Sequence, residues 1–431
     1  MVVRQPRGPR SGIEIDTVVL RQARLDAGMS LADVAGRELT RQAVHLIESG
    51  KVRPTARSLS LIASRLGVPE AALLPPPGPD SDQRVIGDLE RLTELQDHVA
   101  VRDQARRLVA LGGTPERTAF AHHYAGRALY ALAQPVEAVV HLREARDRFE
   151  GLRNHWWVAE SMDWEAIALN MQEDPKALRV GRRALRRYRS LEPRRPETEA
   201  RILEHLGTIC YVRRDYERGR DYYEEALGVE GGVRELTRIA RVYHGMAMCH
   251  HGLRDLRMAR ELLFKALTLY EAEQRIAPAP MRMDRPRAEA DMGLVLMDEG
   301  ELERAEGFLR DALDHYAAAG IERLQSHTLL TLGELRQRQR RFDEALHFVI
   351  EAIDCALSNT EMLTAATGYR QLGELYGARG DHDLADSAFQ RAFGMLQEAG
   401  MEERAGEVMR AYERVLAERR EARRRSRTAS A

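Results

Sequence analysis

The sequence predicts an all-α chain, with a small N-terminal domain of five short helices followed by a long array of repeated helix pairs. Two observations predict it. The first is an interval: in LEHLGTICYVRRDYERGRDYYEEAL, residues 203–227, Gly207 and Ala226 are small residues nineteen positions apart, and the interval recurs along the chain. Gly126 pairs in this way with Ala145, Glu165 with Ala184, Ala247 with Ala266, Gly293 with Ala312, Gly333 with Ala352 and Gly373 with Ala392. A further small residue follows twelve positions after each first member, at Ala138, Ala177, Gly219, Ala259, Ala305, Ala345 and Ala385. The second observation is that apolar residues between 15 and 74 recur at helical spacing in short runs, each closed by glycine or opened by serine, threonine or proline.

Small residues recurring in step mean helices that approach closely, and Leu203, Leu206, Tyr223 and Leu227 are the larger side chains around them. The pattern resembles the tetratricopeptide repeat, although the period here is near 40 residues rather than about 34. Seven such pairs predict an α-solenoid with one concave face, which grows in one dimension and so escapes the size limit of a single compact core.

Taken in order, residues 1–14 form a basic arm with Arg4, Arg7 and Arg10, and 15–74 the small domain. Its helices run from Asp16 to Ala27 with Val19, Leu20 and Ala23 inward, from Leu31 after the cap Ser30, and from Arg41 to Glu48 after the cap Thr40. A fourth contains Leu59, Ile62, Ala63 and Leu66, and Pro69 opens a last short turn. Residues 75–81 read as a stiff proline-rich linker. The array fills 82–418, with a capping pair over Val85–Leu111, a longer loop APAPMRMDRP at 277–286 and a final capping helix beyond Met401. Residues 419–431 read as a basic tail.

The small domain resembles the Cro/phage-repressor type of helix-turn-helix domain. The resemblance is carried by Gly28-Met29-Ser30-Leu31 before the second helix, Ile47-Glu48-Ser49-Gly50-Lys51 after the third, then Arg53-Pro54, Leu59 and Ile62-Ala63 to Leu66-Gly67-Val68. Leu31 stands where the family has glutamine, and Gly36-Arg37-Glu38-Leu39 replaces its usual turn. The resemblance implies that the third helix enters the major groove of double-stranded DNA. Arg41, Gln42 and His45 are then the base-reading positions, since arginine suits guanine and glutamine suits adenine. Thr40, Lys51 and Arg53 are placed for phosphates. Residues 1–74 hold eleven basic and seven acidic side chains, so the domain is basic although the chain's formal net charge is −1.

On the array, positions counted from the small residues give a groove lined by His123, Arg127, Tyr130, Asn170, Arg201, Tyr211, Arg241, His244 and Arg287. Arginines, an amide and aromatic rings suit a peptide or protein ligand with carboxylates. No catalytic motif, cofactor loop or metal-ligand spacing occurs, and His122-His123 and His250-His251 point apart on a helix. Cys210, Cys249 and Cys355 form no paired motif, which fits a reducing cytoplasm, and no apolar run is long enough for a membrane span. A small domain of this type joined to such an array resembles the bacterial helix-turn-helix–tetratricopeptide regulators. That resemblance implies a homodimeric, cytoplasmic transcription regulator that is not an enzyme. The alternative is a tetratricopeptide adaptor with an auxiliary DNA-binding module.

Overall fold

The computed structural model describes residues 13, 15–74, 79–229, 231–232, 235–276, 283–322 and 324–429. The chain divides into two compact units, Met1–Leu191 and Glu192–Ala431. Among the described residues every regular element is helical, and no helix is long and apolar enough to cross a membrane.

The first unit opens with α1 (Thr17–Asp26), α2 (Leu31–Ala35), α3 (Arg41–Glu48) and α4 (Ala56–Leu66); the fifth element is a 3-10 turn, Glu70–Leu73. Each α-helix begins where a short polar side chain satisfies the free N–H groups of its first turn. Asp16 Oδ1 accepts from the N–H of Val18 and Val19 at 2.9 and 3.0 Å. Ser30 and Asp33 form a reciprocal capping box. Thr40 accepts from Ala43, and Thr55 from Ser58. Leu20, Val34, Val44, Ile47, Leu59, Ile62 and Leu66 meet in one core. Val19, expected inward, is 39% exposed, because Leu20 takes the buried line of α1 and its neighbour lies about 100° around the helix. The N–H groups of Ile13 and Asp16 donate to the carbonyls of Pro54 and Leu73, tying the start of the domain to its far side.

The array section of this unit comprises α5 (Pro79–Glu94), α6 (His98–Leu111), α7 (Pro115–Ala131), α8 (Pro135–Gly151), α9 (His155–Met171) and α10 (Ala177–Arg189). The second unit comprises α11 (Pro196–Val212), α12 (Tyr216–Gly228), α13 (Leu236–Gly252), α14 (Leu256–Ile276), α15 (Asp284–Glu299) and α16 (Leu302–Ala318). It continues with α17 (Gln325–Arg338), α18 (Phe342–Ser358), α19 (Met362–Arg379), α20 (His382–Glu398) and α21 (Glu402–Ala429). The pairs from α7/α8 to α19/α20 are the seven that the interval predicts.

The small positions are contact points. A Cβ on Gly126 would lie 2.5 Å from Leu142 Cγ, one on Gly293 2.6 Å from Leu309 Cγ, and one on Gly207 2.8 Å from the Tyr223 ring. Each clashing partner sits sixteen residues later, on the second helix of the same pair. Seven residues after each small position the chain turns through a left-handed residue, at Ala133, Arg214, Arg254, Gly300, Arg340 and Gly380. In the second pair that residue is Glu173, which makes Ala166, fully buried, the equivalent small position rather than Glu165. The interval misses by one because the connection is one residue shorter in this pair, eleven positions from Glu173 to Ala184 against twelve from Arg214 to Ala226. Glu165 instead bridges back to α8, accepting from Arg143 Nε at 2.7 Å and Arg146 Nη1 at 2.8 Å.

Three boundaries differ from expectation. α5 opens at Pro79, so the linker shrinks to 75–78, outside the described residues; proline is tolerated in a helix's first turn, where its missing N–H is not needed. The loop at 277–286 also shortens, because α15 already begins at Asp284, and 277–282 lie outside the described residues. The tail is helical to Ala429, and Arg419 lies 3.7 Å from Asp386 on α20 rather than being wholly solvated. The arm at 1–12 also lies outside the described residues.

A buried guanidinium ties α16, α17 and α18 together. Arg336, its side chain 2% exposed, donates to both carboxylate oxygens of Glu306 at 2.7 Å and lies 3.1 Å from Glu344. Those hydrogen bonds hold the Glu306 carboxyl well down, from 4.5 to about 2. A depressed carboxyl contributes stability that is present above its unfolded value and is lost as pH falls through the folded one. The thermal midpoint should therefore drop between about pH 4.5 and pH 2, and Glu306→Gln should flatten that drop; an unchanged acid profile in the variant contradicts the pairing. Gly126→Ala should destabilise the chain by about 1–3 kcal/mol, because the added methyl overpacks the α7–α8 contact. Gly307→Ala, on the open face of α16 with nothing within 4 Å, should stabilise it by about 0.5–1 kcal/mol in chemical denaturation.

Candidate functional site

The DNA-facing candidate is built on α2, α3 and the turn between them. α3 buries Val44 and Ile47 and leaves Arg41, Gln42 and His45 exposed, with Leu46 half-buried. One arginine fixes the end of this helix and another the turn before it. Arg24 on α1 grips the Glu48 carboxylate at the end of α3 through Nε at 2.9 Å and Nη2 at 2.7 Å, and its Nη1 donates to the Met29 carbonyl. Arg65 on α4 donates from Nη1 to the carbonyls of Val34 and Ala35 at 2.8 and 2.6 Å, and its Nη2 pairs with Glu38. The carbonyls at the end of α2, which have no partner within the helix, are thus capped by a cation that also suits the helix dipole.

Gly36 turns there at φ +54°, and a Cβ on it would lie 2.5 Å from the Arg65 guanidinium. The turn that departs from the family pattern therefore has its own device: glycine admits the arginine that holds it. Of the phosphate-facing set, Lys51 and Arg53 are exposed in the loop after α3, and Thr40 uses its hydroxyl oxygen as the cap of that helix.

The expected groove residues divide between the two units. In the first, His123 is fully buried, Nδ1 lying 3.0 Å from Ser161 Oγ among the rings of Tyr124, Phe149 and Trp157. It is a core histidine and not a groove residue, because on α7 it faces the aromatic cluster of the pair. Arg127 places its guanidinium 4.7 Å from the centre of the Trp164 ring, Tyr130 stacks edge-on to the same ring at 5.8 Å, and Asn170 is 8% exposed.

In the second unit the arginines and His244 face acids. Arg241 Nε lies 3.2 Å from Glu204, and His244 Nε2 lies 2.6 Å from Asp291. Burial pulls the Arg241 guanidinium down, but Glu204 and Asp284 more than restore it and leave it raised. Burial pushes Asp291 up, yet the His244 hydrogen bond, with His327 and Arg287 nearby, holds its carboxyl below the usual range. Burial, then Asp291, raises the Tyr211 phenol. Arg201, Arg241 and Arg287, expected in the groove, thus belong to a mixed-charge lattice, because α15 brings Asp284 and Asp291 among them.

Two cavities in the second unit lie further along the array. One of about 450 Å³ is lined by α15, α17 and α19, including Leu294, Leu330, Glu334, Gln337, Arg370 and Glu374. The other, of about 490 Å³, shares Thr367 and Arg370 with it and adds Arg214, Arg404, Arg410 and Arg414 around Leu363, Leu396 and Val408. Arg214, in the turn after α11, pairs with Glu407 of α21 beside it. The sequence reading stopped at the fifth pair. The offsets that gave His123, Arg127 and Tyr130 from Gly126 give Leu330, Glu334 and Gln337 from Gly333, and Arg370 and Glu374 from Gly373. The signal was present and was not followed to the end.

Arg65→Ala should release the α2–α3 turn, removing hydrogen bonds from a charged donor worth about 1.5–3 kcal/mol. Hydrogen exchange at Gly36–Leu39 should speed by roughly tenfold or more, and Arg65→Lys should restore little, since an ammonium cannot reproduce the fork. Unchanged exchange in Arg65→Ala contradicts the clamp.

Comparison with known proteins agrees with this geometry. A family model described as helix-turn-helix matches residues 20–73. No curated protein sequence matches the chain. Among solved structures, the chain is similar to the apo form of the quorum sensor NprR from B. thuringiensis, with a TM-score of 0.59 and 13% identity over 88% of this chain and 98% of that one. It is also similar to a Rap protein complexed with Competence and Sporulation Factor, at 0.56 and 12% identity over 89% and 99%. The apo form of RapI gives 0.52 and 12% over 65% and 98%. At such identities the likeness shows the fold. Residues 20–73 are a helix-turn-helix DNA-binding domain, and the chain joins it to an array of tetratricopeptide type.

Proposed function

We propose that the chain is a sequence-specific, DNA-binding transcription regulator whose array dimerises and senses a peptide or another anionic ligand. The observation that carries the first half is α3, a helix within the matched domain that leaves Arg41, Gln42 and His45 exposed while Arg24 holds its end and Arg65 the turn before it. Arg41 is suited to guanine O6/N7 and Gln42 to adenine N6/N7. Thr40, Lys51 and Arg53 position the domain on phosphates, which adds affinity without sequence information. A single domain covers one half-site, so a symmetric dimer reads two half-sites about one helical turn apart.

The second half rests on the arginine-rich cavity of the second unit and on the mixed-charge lattice around Arg241, His244 and Arg287, with Arg201 and Tyr211 on the same helix layer. In the first unit Arg127, Tyr130 and Asn170 are the corresponding contacts. A cavity of about 490 Å³ falls in the range of ligand sites, and guanidinium groups suit carboxylates. The protein described as a quorum sensor shares this fold. Ligand binding shifts DNA affinity by no more than its differential affinity for the two array shapes, about 1–3 kcal/mol.

Gln42→Ala should weaken binding to selected sites by about 1–3 kcal/mol and leave random DNA unaffected, whereas Arg53→Ala should weaken both alike. Equal losses on selected and random duplexes for Gln42→Ala remove it as a reader. For the array, a peptide pool should be titrated against the full chain and against Arg370→Ala/Arg410→Ala, which should bind acidic peptides at least about tenfold more weakly. Unchanged capture overturns the ligand assignment and favours an adaptor.

A further inference from the structure

α10 differs in charge from every other second helix of the seven pairs. It contains Arg179, Arg182, Arg183, Arg186, Arg187 and Arg189 and no aspartate or glutamate, whereas α8, α12, α14, α16, α18 and α20 each carry at least three carboxylates. Its inward face is Ala177, Gly181, Ala184, Leu185 and Tyr188, all buried. Arg179, Arg183 and Arg186 lie on the opposite face, spaced four and three residues apart, and all three are exposed, with exposed Lys176 just before them.

Among the described residues none of those three arginines has a carboxylate within ion-pair distance. Arg187, on the inner flank, is by contrast paired with Glu150 at 2.8 Å. Helix polarity accounts for arginines in the last turn, where cations are favoured, but not for Arg179 and Arg183 in the first two turns, where they are disfavoured. Like charges three and four residues apart also repel, by about 0.2–0.5 kcal/mol per pair in a helix. A helix that keeps this pattern without internal partners is built to meet an external anion.

We propose that Arg179, Arg183 and Arg186 contact the phosphate backbone of double-stranded DNA outside the half-site read by α3. The proposal rests on the DNA-binding reading above. The exposed residues within α10 are all arginines, with no apolar or aromatic anchor of the kind that centres a protein–protein interface. Guanidinium groups take phosphates bidentately, and their axial separations of about 4.5–6 Å lie along a polyanion that carries a charge about every 1.7 Å. Such contacts would lengthen the footprint and add sequence-independent affinity.

The test uses the full chain with random-sequence duplexes of about 15 and about 60 base pairs, measuring affinity against salt, because each neutralised phosphate contributes about 0.9 to the slope of log affinity on log salt. Arg179→Ala/Arg183→Ala/Arg186→Ala should lower that slope by about 2–3 on the long duplex and leave it unchanged on the short one. The triple lysine variant, which keeps the charge, should retain the full slope, and an unchanged thermal midpoint shows that both variants fold. Equal slopes for the alanine variant and the unaltered chain on the long duplex overturn the proposal, and binding to an acidic protein in their place would make α10 a protein-docking helix. If the unaltered chain binds neither duplex, it is the DNA-binding reading that fails.

Discussion

The close approach of two helices within each pair is the constraint on which the array depends. At Gly126, Gly207, Gly293, Gly333 and Gly373 the space for a Cβ is already taken by a side chain from the second helix, sixteen residues on. That contact fixes where the pair turns, and the left-handed residue seven positions later closes the turn. Since successive pairs within each unit pack against one another, the spacing of these contacts sets the period of the array. A substitution at one such glycine acts on the packing of a whole pair, whereas one on an open face, as at Gly307, does not.

The N-terminal domain solves a different problem, holding a short recognition helix steady on a small core. Ten buried residues form that core, too few to fix side-chain geometry at the surface unaided. Arg24 and Arg65 supply the rest, one gripping Glu48 at the end of α3 and the other the carbonyls that end α2. Both are used internally, which leaves Thr40, Arg41, Gln42, His45, Lys51 and Arg53 as the exposed candidates for DNA contact.

Much of the fold was legible in the sequence because it depends on small residues, caps and helical spacing, all local signals. Ser30, Thr40 and Thr55 begin the helices where their chemistry requires. What was not legible depended on contacts distant in sequence. His123 looked like a groove residue until Phe149 and Trp157 enclosed it. Arg241 looked like a groove cation until Asp284 of a neighbouring helix joined Glu204 beside it. The one-residue error at Glu165 arose from a connection one residue shorter than in the other pairs, which a fixed interval cannot represent. The arginine cavity joins the α11–α12 turn to α21, almost two hundred residues apart, and no periodicity links them.

A helix-turn-helix domain at residues 20–73 joined to an array with charged cavities is the frame of the proposed regulator. On the proposed reading the arginines of α10 would extend DNA contact onto the array itself. The most direct measurement is hydroxyl-radical footprinting of genomic fragments selected by the full-length protein. The account predicts protection of two half-sites about one helical turn apart, within a longer tract of backbone protection. Selected fragments without a common protected sequence would contradict it.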